Sequence, residues 1–170
     1  MFLTGSAGTG KTLMLSEALK IKFSKFKSRG ADVKIFVTTF YDWECTELLD
    51  KYREYYLVNI ENINFSVMEQ LCDDLNIKYD WQKPQSTMNK VVRSLSDKYT
   101  DSTVILLCDE VMTRNSSDWS NMKTSHNVIW LMAINPSGRG HGNMNIVYPT
   151  SDDVLSQQLQ VKYRNCHQIR

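Results

Sequence analysis

The sequence has no apolar run approaching the ~20 residues that a membrane-spanning helix requires. Its longest, Val104–Cys108 and Val128–Ile134, are of strand length, so no membrane partner is expected. Cysteine is sparse and dispersed: Cys45, Cys72, Cys108 and Cys166 form no CxxC pair. That spacing argues against a disulfide framework and against a cysteine zinc site. It fits reduced thiols in an intracellular protein, cytoplasmic or nuclear. His126, His141 and His167 share no metal-ligand spacing either. The opening Met-Phe-Leu-Thr leads straight into glycine, with neither a basic n-region nor an apolar h-region, so no secretory leader is expected. An excess of one charge is also missing. Lys and Arg total 20 against 19 Asp and Glu, a net charge of +1. The whole-chain balance therefore lends nothing to nucleic-acid binding, while leaving room for a local groove. Repeats, low-complexity tracts and linkers are absent.

What is present is a globular composition. Hydrophobic residues make up 42% and charged residues 23% of 170, enough for a single domain with a sizeable core. Short β-type runs alternate with helical patterns. That alternation predicts an α/β fold of three layers, with a mainly parallel central sheet and helices on both faces. Strands are expected at Phe2–Thr4, Val33–Thr38, Leu57–Ile60, Thr103–Cys108, Val128–Ile134 and Ile146–Tyr148. Thr103–Cys108 has no polar alternation, so it should be central and covered on both sides. A helix should follow Lys11, with Leu15, Ala18, Leu19, Phe23 and Phe26 at helical spacing and Gly30 as its stop. A second should bury Cys45, Leu48, Leu49, Tyr52 and Tyr55 along one face. Two more are expected behind Ser66 and Ser86 as caps. The first would bury Met68, Leu71, Cys72 and Leu75, and the second Met88, Val91, Val92 and Leu95. Asn135–Asn143 reads as a glycine-rich loop and Asp152–Gln158 as a short helix.

The chemistry concentrates at two places. Gly5-Ser6-Ala7-Gly8-Thr9-Gly10-Lys11-Thr12 matches G-x-x-x-x-G-K-[ST] at every fixed position, between a strand and an amphipathic helix. Such a P-loop wraps a phosphate with inward-pointing backbone N–H groups, and glycine supplies the positive φ angles. The following helix aims its positive end at the same anion. Lys11 would place its charge on the β- and γ-phosphates, and the Thr12 hydroxyl would ligate Mg²⁺. The second place is Val104-Ile105-Leu106-Leu107-Cys108-Asp109-Glu110, a buried strand ending in two carboxylates. At the C-terminal edge of a parallel sheet Asp109 would face the metal, and Glu110 would orient or deprotonate the attacking water. The expected ligands are therefore ATP as substrate and Mg²⁺ as cofactor.

These two motifs together resemble the additional-strand branch of P-loop ATPases, and the order of segments resembles the first RecA-like lobe of superfamily 1 helicases. Three further pieces carry the likeness. Val37-Thr38-Thr39-Phe40, followed by Leu48-Leu49, looks like motif Ia of that family, which touches single-stranded nucleic acid. Val128–Asn135 lies where motif III lies. Leu159-Gln-Val-Lys-Tyr163-Arg164-Asn165 looks like motif IV, whose arginine reaches the γ-phosphate. The resemblance implies a P-loop ATPase of RecA-like fold, with Arg164 as a charge stabiliser and single-stranded DNA or RNA as a partner. It also implies a second RecA-like lobe, with this chain a piece clipped at both ends. The chain departs from the pattern at Asp109-Glu110-Val111-Met112, which lacks the family's glutamine two residues after the Glu. It departs again at Ala133-Ile134-Asn135-Pro136-Ser137, in place of Gly-Asp-x-x-Gln. Those glutamines couple nucleotide to strand movement, so the departures bear on translocation more than on hydrolysis.

Other residues keep two readings. Asn135 either contacts the γ-phosphate or caps the turn at Pro136-Ser137-Gly138. Arg139 either meets phosphate or belongs to a solvated loop. Lys20, Lys22, Lys25, Lys27 and Arg29 either form a nucleic-acid patch or complement the dipole of their own helix. Tyr41 is a candidate for base stacking, and Phe40 and Trp43 stand between stacking and core packing. Two rivals to the motor reading stand beside it: a regulatory switch that uses nucleotide occupancy to control assembly, and a nucleotide-binding remnant without catalysis.

Overall fold

A computed structural model describes residues 1–5, 8–40, 45–112, 117–135, 146–147, 149 and 156–159. Within them the chain is α/β. The strands are β1 (Phe2–Gly5), β2 (Val33–Thr39), β3 (Ile63–Val67), β4 (Thr103–Met112), β5 (Ser117–Asp118), β6 (Val128–Asn135), β7 (Ile146–Val147) and β8 (Ser156–Leu159). The helices are α1 (Lys11–Lys27), α2 (Cys45–Lys51), α3 (Met68–Asp74) and α4 (Pro84–Lys98), with a π-helical turn over Tyr52–Tyr56 continuing α2. Six strands form one sheet in the order β3-β2-β4-β6-β1-β8, and β5 pairs with β7 separately. Every pairing is parallel.

Chain direction decides which face each helix covers. From β1 the chain crosses two strands to reach β2, then returns from the edge strand β3 to β4. Right-handed crossovers on journeys of opposite sense put their helices on opposite faces. Accordingly Leu15, Leu19, Leu49 and Tyr52 pack on Leu3, Ile35, Val37, Ile105, Leu107, Leu131 and Ala133. On the other face Met68, Leu71, Met88, Val91 and Leu95 pack on Phe2, Phe36, Val104, Leu106, Val128, Trp130 and Met132. Residues 104–108 of β4 are all fully buried, as the unbroken apolar run predicts.

Several elements differ from expectation for identifiable reasons. Residues 57–60 are not a strand. Leu57 N–H closes the π turn on the Tyr52 carbonyl at 2.8 Å, and Ile60 N–H turns back to the Leu57 carbonyl. The strand starts later, at Ile63. Ser66 does not cap α3, because it is held in β3 opposite Thr38 and the helix begins at Met68. Ser86 does not cap α4, which begins two residues earlier. Pro84 has the fixed φ and missing N–H that suit a first helical position. Within Asp152–Gln158, residues 152–155 lie outside the described residues, while 156–158 belong to β8 rather than to a helix. β8 pairs Phe2 with Ser156 through Gly5 with Leu159, so it satisfies the outer backbone edge of β1. The stop at Gly30 holds. Its φ is 74°, and the Gly30 and Ala31 N–H groups bond the Lys27 and Phe26 carbonyls in a Schellman pattern.

Candidate functional site

The site lies at the C-terminal edge of the sheet, where β1 hands over to α1. Gly8 and Gly10 have φ of 82° and 85°, values that a side chain strongly disfavours. Gly10 is the N-cap of α1, and no side chain caps the first turn. That turn also carries no acidic residue. The backbone N–H groups that open α1 are thus free of a competing carboxylate on their own helix, the arrangement a helix N-terminus offers an anion. Thr9 and Lys11 are buried, and the Lys11 ammonium donates to the Gly5 carbonyl at 2.8 Å. Ser6 and Ala7 lie outside the described residues.

The carboxylate comes from β4, which β6 separates from β1. Asp109 is fully buried. Its Oδ2 accepts from Thr12 Oγ1 at 2.7 Å and from the Tyr52 hydroxyl at 2.8 Å. Its Oδ1 accepts from the Glu110 N–H at 2.8 Å. Burial pushes the Asp109 carboxyl above the usual range, opposed by the hydrogen bond from Thr12, with the neighbouring Glu110 charge adding to the rise. One extra residue on β4 makes a bulge: Cys108 pairs with Met132, but Val111 pairs with Ile134. Glu110, inside the bulge, has φ of 52°, uncommon for a residue with a side chain. The bulge breaks the alternation of β4, so the two carboxylates no longer simply face opposite sides of the sheet.

The donor set suits a hard cation. Thr12 directs its one hydroxyl proton at Asp109, which leaves the oxygen lone pairs available to a metal. Asp109 keeps acceptor capacity at Oδ1. Thr39, the register partner of Asp109 on β2, has a buried hydroxyl with no hydrogen-bond partner, which suits a hydrated ion nearby. Among the described residues no group of three His, Cys, Asp or Glu side chains is gathered for a metal. An ion here would complete its shell with water and phosphate oxygens, as Mg²⁺ characteristically does.

Gly5, Gly8, Thr9, Gly10, Lys11, Thr12, Asp109 and Glu110 all belong to this edge. Asn135 ends β6 opposite Met112, and its side chain is outside the described residues, as are Arg139, Arg164, Tyr41 and Trp43. Phe40 is core, packed with Tyr79. Among the cations of α1, Lys20 pairs with Glu17. His126 is exposed, and Cys72 and Cys108 are buried in the core. Tyr52 is the site residue that the motifs did not reveal. The available signal was a tyrosine on the core face of a helix, since a buried phenol needs a partner.

Compared with protein-family models, curated proteins and solved structures, the chain matches none. Among the described residues no helix is long and apolar enough to cross a membrane.

Proposed function

We propose that this chain binds ATP with Mg²⁺ and hydrolyses it, as the ATPase lobe of a helicase-like motor acting on nucleic acid. The observation that carries the reading is the 2.7 Å hydrogen bond between Thr12 and Asp109. It joins the residue after the loop lysine to the aspartate at the β4 bulge across 97 positions of sequence. The intervening strand β6 agrees with the additional-strand resemblance.

In this reading the amides at the start of α1 take the phosphates, and Lys11 exchanges its Gly5 carbonyl for phosphate oxygen. Thr12 and Asp109 hold Mg²⁺, which draws charge from the phosphate oxygens when bound. Glu110 accepts the proton of the water whose oxygen attacks the γ-phosphorus, while the bond to the ADP oxygen breaks. Arg164 and Asn135 are assigned to the γ-phosphate by resemblance alone. Glu110→Gln tests the scheme. It should retain nucleotide affinity within about twofold and lower turnover by at least the ~10² typical of a lost general base. Turnover unchanged by the substitution would favour a nucleotide-binding remnant. The switch reading rests on two departures from the resemblance: Met112, a thioether that is a poor bridge between nucleotide and strand, stands where the family has a glutamine, and Ala133-Ile134-Asn135-Pro136-Ser137 stands in place of Gly-Asp-x-x-Gln.

A further inference from the structure

We infer that Tyr52 is a positioning residue for the metal site: its hydroxyl holds the Asp109 carboxylate in the orientation that receives Mg²⁺. The inference rests on the nucleotide reading above and extends it to an element outside both motifs. Tyr52 has no exposed surface, and its hydroxyl lies 2.8 Å from Asp109 Oδ2. The same oxygen accepts from Thr12, so its two lone pairs are both engaged. With Oδ1 bonded to the Glu110 N–H, the carboxylate is fixed at both ends. The acceptor capacity left to it lies on Oδ1.

The backbone is shaped to place this ring. α2 gives way to a π-helical turn at Tyr52, and a π turn inserts an extra residue per turn. Tyr56 packs at a tilt against Tyr52, with ring centroids 5.7 Å and ring planes 58° apart, while Tyr55 faces solvent. The Tyr52 hydroxyl also lies 3.5 Å from the Thr12 carbonyl, so the ring spans from α1 to β4. Within this pair the phenol is the donor and the carboxylate oxygen the acceptor. A phenylalanine would fill the same core volume. The hydroxyl is therefore the part of Tyr52 that packing does not require.

Outer partners of metal ligands typically contribute about 10–100-fold to metal affinity. The test measures nucleotide affinity by equilibrium dialysis with Mg²⁺ and again with EDTA, for the wild type, Tyr52→Phe and the neighbouring control Tyr56→Phe. The wild type should bind more tightly with Mg²⁺. Tyr52→Phe should lose about tenfold of that Mg²⁺-dependent gain and keep its EDTA affinity, while Tyr56→Phe keeps both. On an Asp109→Asn background, Tyr52→Phe should have no further effect. A full Mg²⁺ gain in Tyr52→Phe would overturn the inference and leave the nucleotide reading standing. Equal losses with and without Mg²⁺ would overturn it too, since a packing role predicts them. No Mg²⁺-dependent nucleotide binding by the wild type would overturn the reading beneath it.

Discussion

Asp109 is a carboxylate with no exposed surface, held by three hydrogen bonds and carrying a raised pKa. Its folded pKa lies above its unfolded value because burial penalises the charge. The sign follows. The folded state binds the proton more readily, so this group favours folding below the unfolded carboxylate range and loses that contribution as pH rises through the folded pKa. Asp109→Asn should therefore raise the melting temperature of the nucleotide-free protein at neutral pH, by about 2–4 °C for each kcal/mol relieved. The gain should shrink as pH falls toward the ordinary carboxylate range. A melting temperature lowered at neutral pH would show that the anion is already compensated without a ligand. The same substitution should remove the Mg²⁺-dependent part of nucleotide affinity, since an amide is a weaker partner for a hard cation. A residue that costs stability without its ligand is common at functional sites.

At the scale of elements, glycine placement and apolar periodicity made much legible. The G-x-x-x-x-G-K-T pattern locates the β1–α1 junction, and the unbroken run in β4 locates the central strand. What stayed hidden depended on tertiary partners. The wider π turn leaves Tyr55 exposed, where a 3.6-residue period puts it beside the apolar face. The bulge at Asp109–Glu110 and the pairing of β8 with β1 depend on neighbours distant in sequence. The site was half legible for the same reason: its motif residues are contiguous, but the Tyr52 bond to Asp109 spans 57 positions. Gly30 tests the local part of this account. A Cβ there would meet nothing within 4 Å, yet φ is 74°. Gly30→Ala should thus cost about 1–2 kcal/mol through backbone strain alone. Its melting temperature should fall by a few degrees with nucleotide affinity unaltered. An unchanged melting temperature would mean that the helix ends differently.

On the scale of the whole molecule, the loop strand β1 and the carboxylate strand β4 are two positions apart in a parallel sheet, with helices on both faces. Their C-terminal ends share one edge, where open α/β sheets bind ligands. The motor reading proposed above adds a polynucleotide partner at this edge. Turnover by the protein should therefore rise at least severalfold with single-stranded DNA or RNA and fall to background with EDTA. Turnover indifferent to both polymers would favour the switch reading. The net charge of +1 means that such binding would rely on a local groove, and the stimulation should weaken as salt is raised.

The most direct test is equilibrium dialysis of the protein against Mg·ATP, wild type beside Lys11→Ala. Measurable affinity is predicted for the wild type, with a loss of at least tenfold in the variant, because the lysine ammonium and the α1 amides share one anion. No affinity in the wild type, or the same affinity in Lys11→Ala, would contradict the account.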